Sequence, residues 1–205
     1  MLITCSRTLL RCDRLVHRPT RMFIRNRHKG GTSRRVTWEK PEIGWTKLNF
    51  DGSCKSKTGR SSIGGIFRNH EAEFLLGYAE SIGESNSTNA ELAALRRGME
   101  LVLENGWTDI WVEGDSKSLV DMIVRKRAVR CAEAQKHLHQ IYLIIPELDR
   151  FTVTHVFREG NRAADKFAQL GHHLNHPHVW RDAPPMQVTR IVDEDAQGKS
   201  FLRSR

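Results

Sequence analysis

The sequence predicts an α/β domain: a five-stranded mixed sheet, three antiparallel strands plus two further strands, flanked by helices. Three observations predict it. Three segments of strand character follow one another between residues 46 and 82, joined by short polar turns. The hydrophobic period then lengthens to that of a helix at Leu92, Leu95, Met99, Val102 and Leu103. From there to residue 171, strand and helix patterns alternate.

The first strand runs over 46–53 and closes on Phe50-Asp51-Gly52-Ser53. An acid at a strand's end can face a ligand while the sheet holds its backbone, although Asp-Gly is also a common hairpin turn. Lys55 to Arg60 is a polar turn, and 62–68 is the second strand. Gly64-Gly65 inside that strand signals a bulge or the close approach of another backbone. A turn over 69–72 leads into a third strand over 73–82. Ser87 or Thr88 can cap the first helix, and Asn105-Gly106 ends it.

The fourth strand, 107–114, puts Ile110 and Val112 on one face and Trp111 on the other. A helix over 116–125 ends in a basic connector that carries Arg125, Lys126, Arg127 and Arg130. Ala134, Leu138, Ile141, Ile145 and Leu148 form the next helical stripe, which Pro146 ends or kinks. The fifth strand alternates over 151–157, and Asn161 can cap a last helix bearing Ala164, Phe167, Ala168 and Leu170.

The formal net charge is +9, and all of it lies in residues 1–35, where nine Arg and one Lys face a single acid. The basic character therefore belongs to a leader and is no argument that the folded domain binds nucleic acid. Arg7, Arg11, Arg14 and Arg18 share one helical face, and Leu2, Cys5, Leu9, Cys12 and Val16 lie roughly opposite. Two readings stay open: an organelle-import presequence, which would direct the protein to a mitochondrion or other organelle, or a disordered basic arm on a nuclear or cytoplasmic protein. Gly30-Gly31-Thr32-Ser33 marks the linker region. The expected organisation is a leader at 1–35, a linker at 36–44, the domain at 45–171 and a C-terminal extension at 172–205.

No apolar run is long enough to span a bilayer. The four cysteines, Cys5, Cys12, Cys54 and Cys131, contain no C-x-x-C pair, which argues against a zinc site or a disulfide framework and for a reducing compartment. In the extension, His172-His173 and His176-Pro177-His178 match no defined metal spacing, so a solvated tail is expected there. Asp193-Glu194-Asp195 reads as a solvated turn.

Four acids carry the functional argument, and each has a plain reading of its own. Asp51 can make a turn. Glu91, three residues after Thr88, can complete a capping box. Asp115 can cap a helix, and Asp165 can favour a helix macrodipole. Together they mean more. If the first and fourth strands are neighbours, Asp51 and Asp115 stand side by side, and helix starts bring Glu91 and Asp165 to them. Clustered carboxylates repel unless cations neutralise them, and hard oxygen ligands suit Mg²⁺ or Mn²⁺. Two such ions about 4 Å apart support in-line phosphoryl chemistry.

Phe50-Asp51-Gly52-Ser53, Asn89-Ala90-Glu91-Leu92, Glu113-Gly114-Asp115-Ser116 and Asn161-Arg162-Ala163-Ala164-Asp165 occur in the order and approximate spacing of type 1 ribonuclease H. The chain resembles most the plant ribonuclease H-like domains related to the reverse transcriptases of non-LTR retrotransposons. The resemblance covers about 45–171 and, more loosely, the stretch to 198. It implies a ribonuclease H-like fold and divalent-metal-dependent endonucleolytic cleavage of the RNA strand in an RNA–DNA hybrid. It implies Asp51, Glu91, Asp115 and Asp165 as ligands of two Mg²⁺ or Mn²⁺ ions, and Gly52, Ser53 and Asn89 as contacts to the RNA strand. Arg125, Lys126 and Arg127 would grip the hybrid.

Two departures stand out. The loop Arg158-Glu159-Gly160-Asn161 lacks the histidine that many members carry there. The connector 125–131 is shorter than the basic helix-loop of some relatives. They keep a second expectation open: a retrotransposon-derived binding module with little turnover. A third is an interaction domain whose acids only cap helices. The expected partner is nucleic acid, with no membrane, and the expected state is a monomer.

Overall fold

The computed structural model describes residues 21–23 and 35–203. In chain order the strands and helices are β1 (Arg21–Phe23), β2 (Arg35–Thr37), β3 (Thr46–Cys54), β4 (Arg60–Arg68), β5 (Phe74–Glu84), α1 (Ser87–Glu104), β6 (Asp109–Gly114), α2 (Lys117–Val124), α3 (Ala132–Ile144), β7 (Arg150–His155), α4 (Arg162–Gly171), β8 (His178–Trp180), α5 (Met186–Ala196) and β9 (Ser200–Leu202). Pro146 falls in a short 3-10 turn that ends α3, as its missing N–H requires.

The main sheet has the order β1-β7-β6-β3-β4-β5-β8. β3, β4 and β5 form the expected antiparallel meander, and β6 and β7 add to it in parallel. The five expected strands are its centre. Two edge strands of three residues each extend it: β1 pairs in parallel with β7, and β8 pairs antiparallel with β5. Three residues carry no readable period, so pattern alone does not reveal such strands. The arginine face at 7–18 and the Gly30–Ser33 stretch lie outside the described residues.

Helices cover both faces. Leu48, Phe50, Ile63, Leu76 and Tyr78 pack with apolar residues of α1, α2 and α3 in the larger core. On the other face, Ile66 and Ala79 pack with Ala163 and Phe167 of α4 and Val188 and Val192 of α5. Gly64 lets α4 approach: a Cβ there would stand 2.2 Å from the Ala168 backbone N. That is the close backbone approach the glycine pair suggests.

That second face is not apolar throughout. The outward rows Lys47-Asn49-Asp51 on β3 and Trp111-Glu113-Asp115 along β6 run side by side, with Lys47 opposite Trp111 and Asn49 opposite Glu113. Lys47, Asn49 and Glu113 are nonetheless buried. Their cover comes from segments that the sequence suggests to be peripheral. Trp38, within the expected linker 36–44, is buried. The expected solvated turn at Asp193-Glu194-Asp195 is instead the last turn of α5, where Asp195 is buried against Arg68. A run of three acids reads as solvated because unpaired charge avoids burial, and here a buried partner reverses that. β2 pairs with β9, so the chain on either side of the domain meets in a second, two-stranded sheet.

Candidate active site

β3 and β6 are parallel neighbours in register from Thr46–Ile110 to Asn49–Glu113. Two residues beyond that last pair, the polar rows deliver Asp51 and Asp115 to the point where the parallel pairing of β3 and β6 ends. A crevice outside the carboxyl ends of parallel strands is where α/β folds bind ligands. α1 brings the third acid. Its N-cap is Asn86, whose side-chain oxygen accepts the Asn89 N–H at 2.9 Å. The capping box at Thr88 is thus not used, and Glu91 turns to the cluster. Carboxylate oxygens of Asp51, Glu91 and Asp115 all lie within 4.8 Å of one another.

Gly52 makes this approach possible. A Cβ on it would lie 2.4 Å from both the Ala90 carbonyl carbon and the Glu91 nitrogen. The bare glycine lets the start of α1 rest on β3, and its N–H donates to the Glu91 carboxyl.

Asp165 lies in the first turn of α4 and is outside the 4.8 Å group. Its carboxylate accepts from Gln169 Nε2 at 2.7 Å and from Arg158 Nη2 at 3.4 Å. Its charge still reaches the others and raises both Asp51 and Asp115. Asp115 is not a helix cap, since Ser116 holds that position on α2.

Burial, then the charges of Asp115 and Asp165, push the Asp51 carboxyl up to about 8. Glu91 is raised well above the usual carboxyl range, by burial first and then by Asp51 and Asp115. Burial also raises Asp115, against the opposing pull of Arg158. Without a cation the cluster therefore holds protons at neutral pH, and Asp51 and Glu91 hydrogen-bond to each other. Glu91 Oε2 is buried with no hydrogen-bond partner among the described residues. An orphaned carboxylate oxygen within an all-oxygen donor set fits a hard divalent cation.

The other named residues divide in two. Gly52 and Ser53 follow Asp51 on β3, and Asn89 is buried two residues before Glu91. Asn89 donates to Glu133 Oε2 at 2.5 Å and lies 3.7 Å from Cys131 Sγ, so the start of α3 orients it. Arg125, Lys126 and Arg127 are exposed on the connector between α2 and α3 and belong to no part of the acid cluster.

Sequence reasoning missed two side chains near the acids. His172, read as part of a solvated tail, is half-buried with Nε2 3.0 Å from Ser53 Oγ. Its place seven residues after Asp165, two turns along one helix face, was the available signal. Asn161, read as a cap, makes no side-chain capping bond; its Nδ2 instead donates to the Phe50 carbonyl at 2.9 Å.

A mixed sheet of this order, with acids converging at the ends of its parallel strands, defines a ribonuclease H-like domain. The chain belongs to the reverse transcriptase-like family, whose model matches residues 49–171. An Arabidopsis thaliana protein named for ribonuclease H is 26% identical over 171 residues, which is 83% of this chain and 27% of that protein. Ribonuclease HI of Halobacterium salinarum is 23% identical over 119 residues, 58% of this chain and 60% of that enzyme. The chain thus spans less than two thirds of either relative. Among solved structures, RNase H1 of Halobacterium salinarum superposes with a TM-score of 0.59 at 21% identity, over 62% of this chain and 96% of that one. LC11-RNase H1, solved in complex with an RNA/DNA hybrid, gives 0.58 at 22% identity, over 62% and 96%. These likenesses establish the fold.

Proposed function

We propose that this domain is a divalent-metal-dependent endonuclease that hydrolyses the RNA strand of RNA–DNA hybrids. The observation that carries the reading is the trio Asp51, Glu91 and Asp115, whose oxygens lie within 4.8 Å of one another where the parallel pairing of β3 and β6 ends. Such a cluster is costly without a cation and gives little to the fold in return. A solved relative of the same fold bound to an RNA/DNA hybrid points the same way.

In this reading Asp51, Glu91, Asp115 and Asp165 hold two Mg²⁺ or Mn²⁺ ions. Bound there, the ions supply an activated water and a charge partner for the leaving oxygen. The chain's part is to fix the donors. Gly52 seats α1 so that Glu91 meets Asp51. Arg158 holds Asp165 at the rim. Asn89, Ser53 and the Gly52 backbone face the RNA strand, where the 2′-hydroxyl distinguishes RNA from DNA. Arg125, Lys126 and Arg127 contact phosphates. Residues 45–171 form the catalytic unit, 172–205 an extension, and the leader either an import signal or a basic arm. The short connector favours a second reading, a hybrid-binding module with little turnover.

Cleavage of a labelled hybrid by the full chain with Mg²⁺ or Mn²⁺, beside Asp115→Asn, decides between them. The nuclease reading expects metal-dependent cutting of the RNA strand alone and a loss of at least about 10³-fold in the variant. Hybrid that is bound but left uncut by a folded protein supports the binding module.

A further inference from the structure

Among the described residues, one other concentration of buried charge lies behind the acid cluster, between the sheet and the C-terminal extension. Lys47, Arg68, Glu113 and Asp195 are each at most 5% exposed. Two are cations and two are acids, so the group is neutral only with Asp195 in place. The bonds form a chain. Arg68 Nη1 donates to Asp195 Oδ2 at 2.7 Å, and Nη2 to Asn49 Oδ1 at 3.1 Å. Asn49 Nδ2 donates to Glu113 Oε2 and to Asn161 Oδ1, both at 3.2 Å. Asn161 Nδ2 then donates to the Phe50 carbonyl at 2.9 Å.

We infer that Asp195 is a positioning residue for the metal-binding acids, acting through Arg68, Asn49 and Asn161. This inference rests on the nuclease reading of the acid cluster.

The polarity of the chain carries the argument. An amide has one accepting and one donating end. Asn49 Oδ1 faces two donors, Arg68 Nη2 and Trp38 Nε1, the latter at 2.8 Å. Its NH₂ must therefore face Glu113 and Asn161. Asn161 in turn presents its oxygen to Asn49 and its NH₂ to Phe50. Asp195 anchors the guanidinium that begins this order, and a buried guanidinium without its acid would seek another oxygen. The far end acts where it matters. The Phe50 carbonyl belongs to the peptide that carries the Asp51 nitrogen, one step past the last registered β3–β6 pair. The Asn161 carbonyl accepts the Asp165 N–H at 3.0 Å and so sets the start of α4. Glu113, held by Lys47 at 2.6 Å and by Thr154 Oγ1 at 3.1 Å, lies two residues before Asp115. Three of the four acids thus stand within four residues of an atom in this network. Hydrogen bonds behind metal ligands set ligand orientation and tune affinity in just this way.

Asp195→Asn and Asn161→Ala, in the full chain, test the inference. The second leaves all four buried charges intact and removes the two side-chain bonds of Asn161, to Asn49 and to Phe50. Deuterium exchange of the metal-free protein reads the backbone at 50–53, and a Mn²⁺ titration followed by thermal shift reads the donors. Both variants are expected to exchange about tenfold faster at 50–53 and to need about tenfold more Mn²⁺ for half of the shift. In hybrid cleavage, kcat falls and KM holds, and Asp195→Glu, which keeps the charge, recovers part of the loss. Variants that fold, melt lower and keep wild-type exchange at 50–53 overturn the inference, because Asp195 would then only fasten the extension. A wild-type chain that cuts no hybrid counts against the nuclease reading alone, since exchange needs neither metal nor substrate.

Discussion

Asp51→Asn is expected to abolish hybrid cleavage, by at least about 10³-fold, while making the metal-free protein more stable. The two effects share one cause. Asp51 is buried among like charges, and its carboxyl is pushed up to about 8 from an ordinary value near 4. A raised folded value means that the folded state holds a proton the unfolded chain has lost. Relative stability is therefore full below about pH 4 and declines as the pH rises toward 8. The neutral amide removes this decline. At pH 8 the raised carboxyl costs the folded state at most about 5 kcal/mol, and the amide, itself polar and buried, recovers part of this, raising Tm by at least about 4 °C. At pH 4 the two proteins should melt together. Thermal melts with a chelator at both pH values check the sign, and Mg²⁺ should stabilise only the wild type. A variant less stable at pH 8 would show that Asp51 serves the fold.

Gly52→Ala is expected to damage fold and site together. The added carbon would meet the backbone of Ala90 and Glu91, both at 2.4 Å, where no side chain can swing aside. Either β3 or the start of α1 must move, costing about 2–4 kcal/mol and lowering Tm by about 5–15 °C. The same displacement carries Glu91 away from Asp51. Cleavage measured well below the new Tm should therefore fall more than the folded fraction does. An alanine variant with normal Mn²⁺ affinity and lowered Tm would limit the glycine to a packing role.

Much of this was legible in the sequence, and the reason is periodicity. Strands of nine or more residues such as β3, β4 and β5, and the helix carrying Leu92 to Leu103, repeat their pattern long enough to be read. Asp51 and Asp115 were legible because each breaks a strand pattern with an acid beside a glycine, Asp51 before Gly52 and Asp115 after Gly114. Asp165, expected beside the other three, stands outside the 4.8 Å group, and its contacts with Arg158 and Gln169 depend on how α4 begins. The edge strands at 21–23 and 178–180 were not legible, because three residues gain their form from the neighbour they pair with. Nor was the buried network. Lys47 and Arg68 look like ordinary solvent-facing strand positions, but Glu113 and Trp111 hold the first inward and the distant Trp38 and Asp195 the second. Pairing across 127 residues of chain leaves no local trace.

The small sheet of β2 and β9 puts Arg35 opposite Leu202. The stretch from residue 35 to residue 202 thus begins and ends side by side. Carried in a longer polypeptide, a unit of this kind hangs as a side branch, and its host can close up beneath it without stretching. Joining residue 203 to residue 35 by a short bridge would make a ring, which could be reopened at another exposed turn with the sheet order from β7 to β8 preserved and only the edge strand β1 left out.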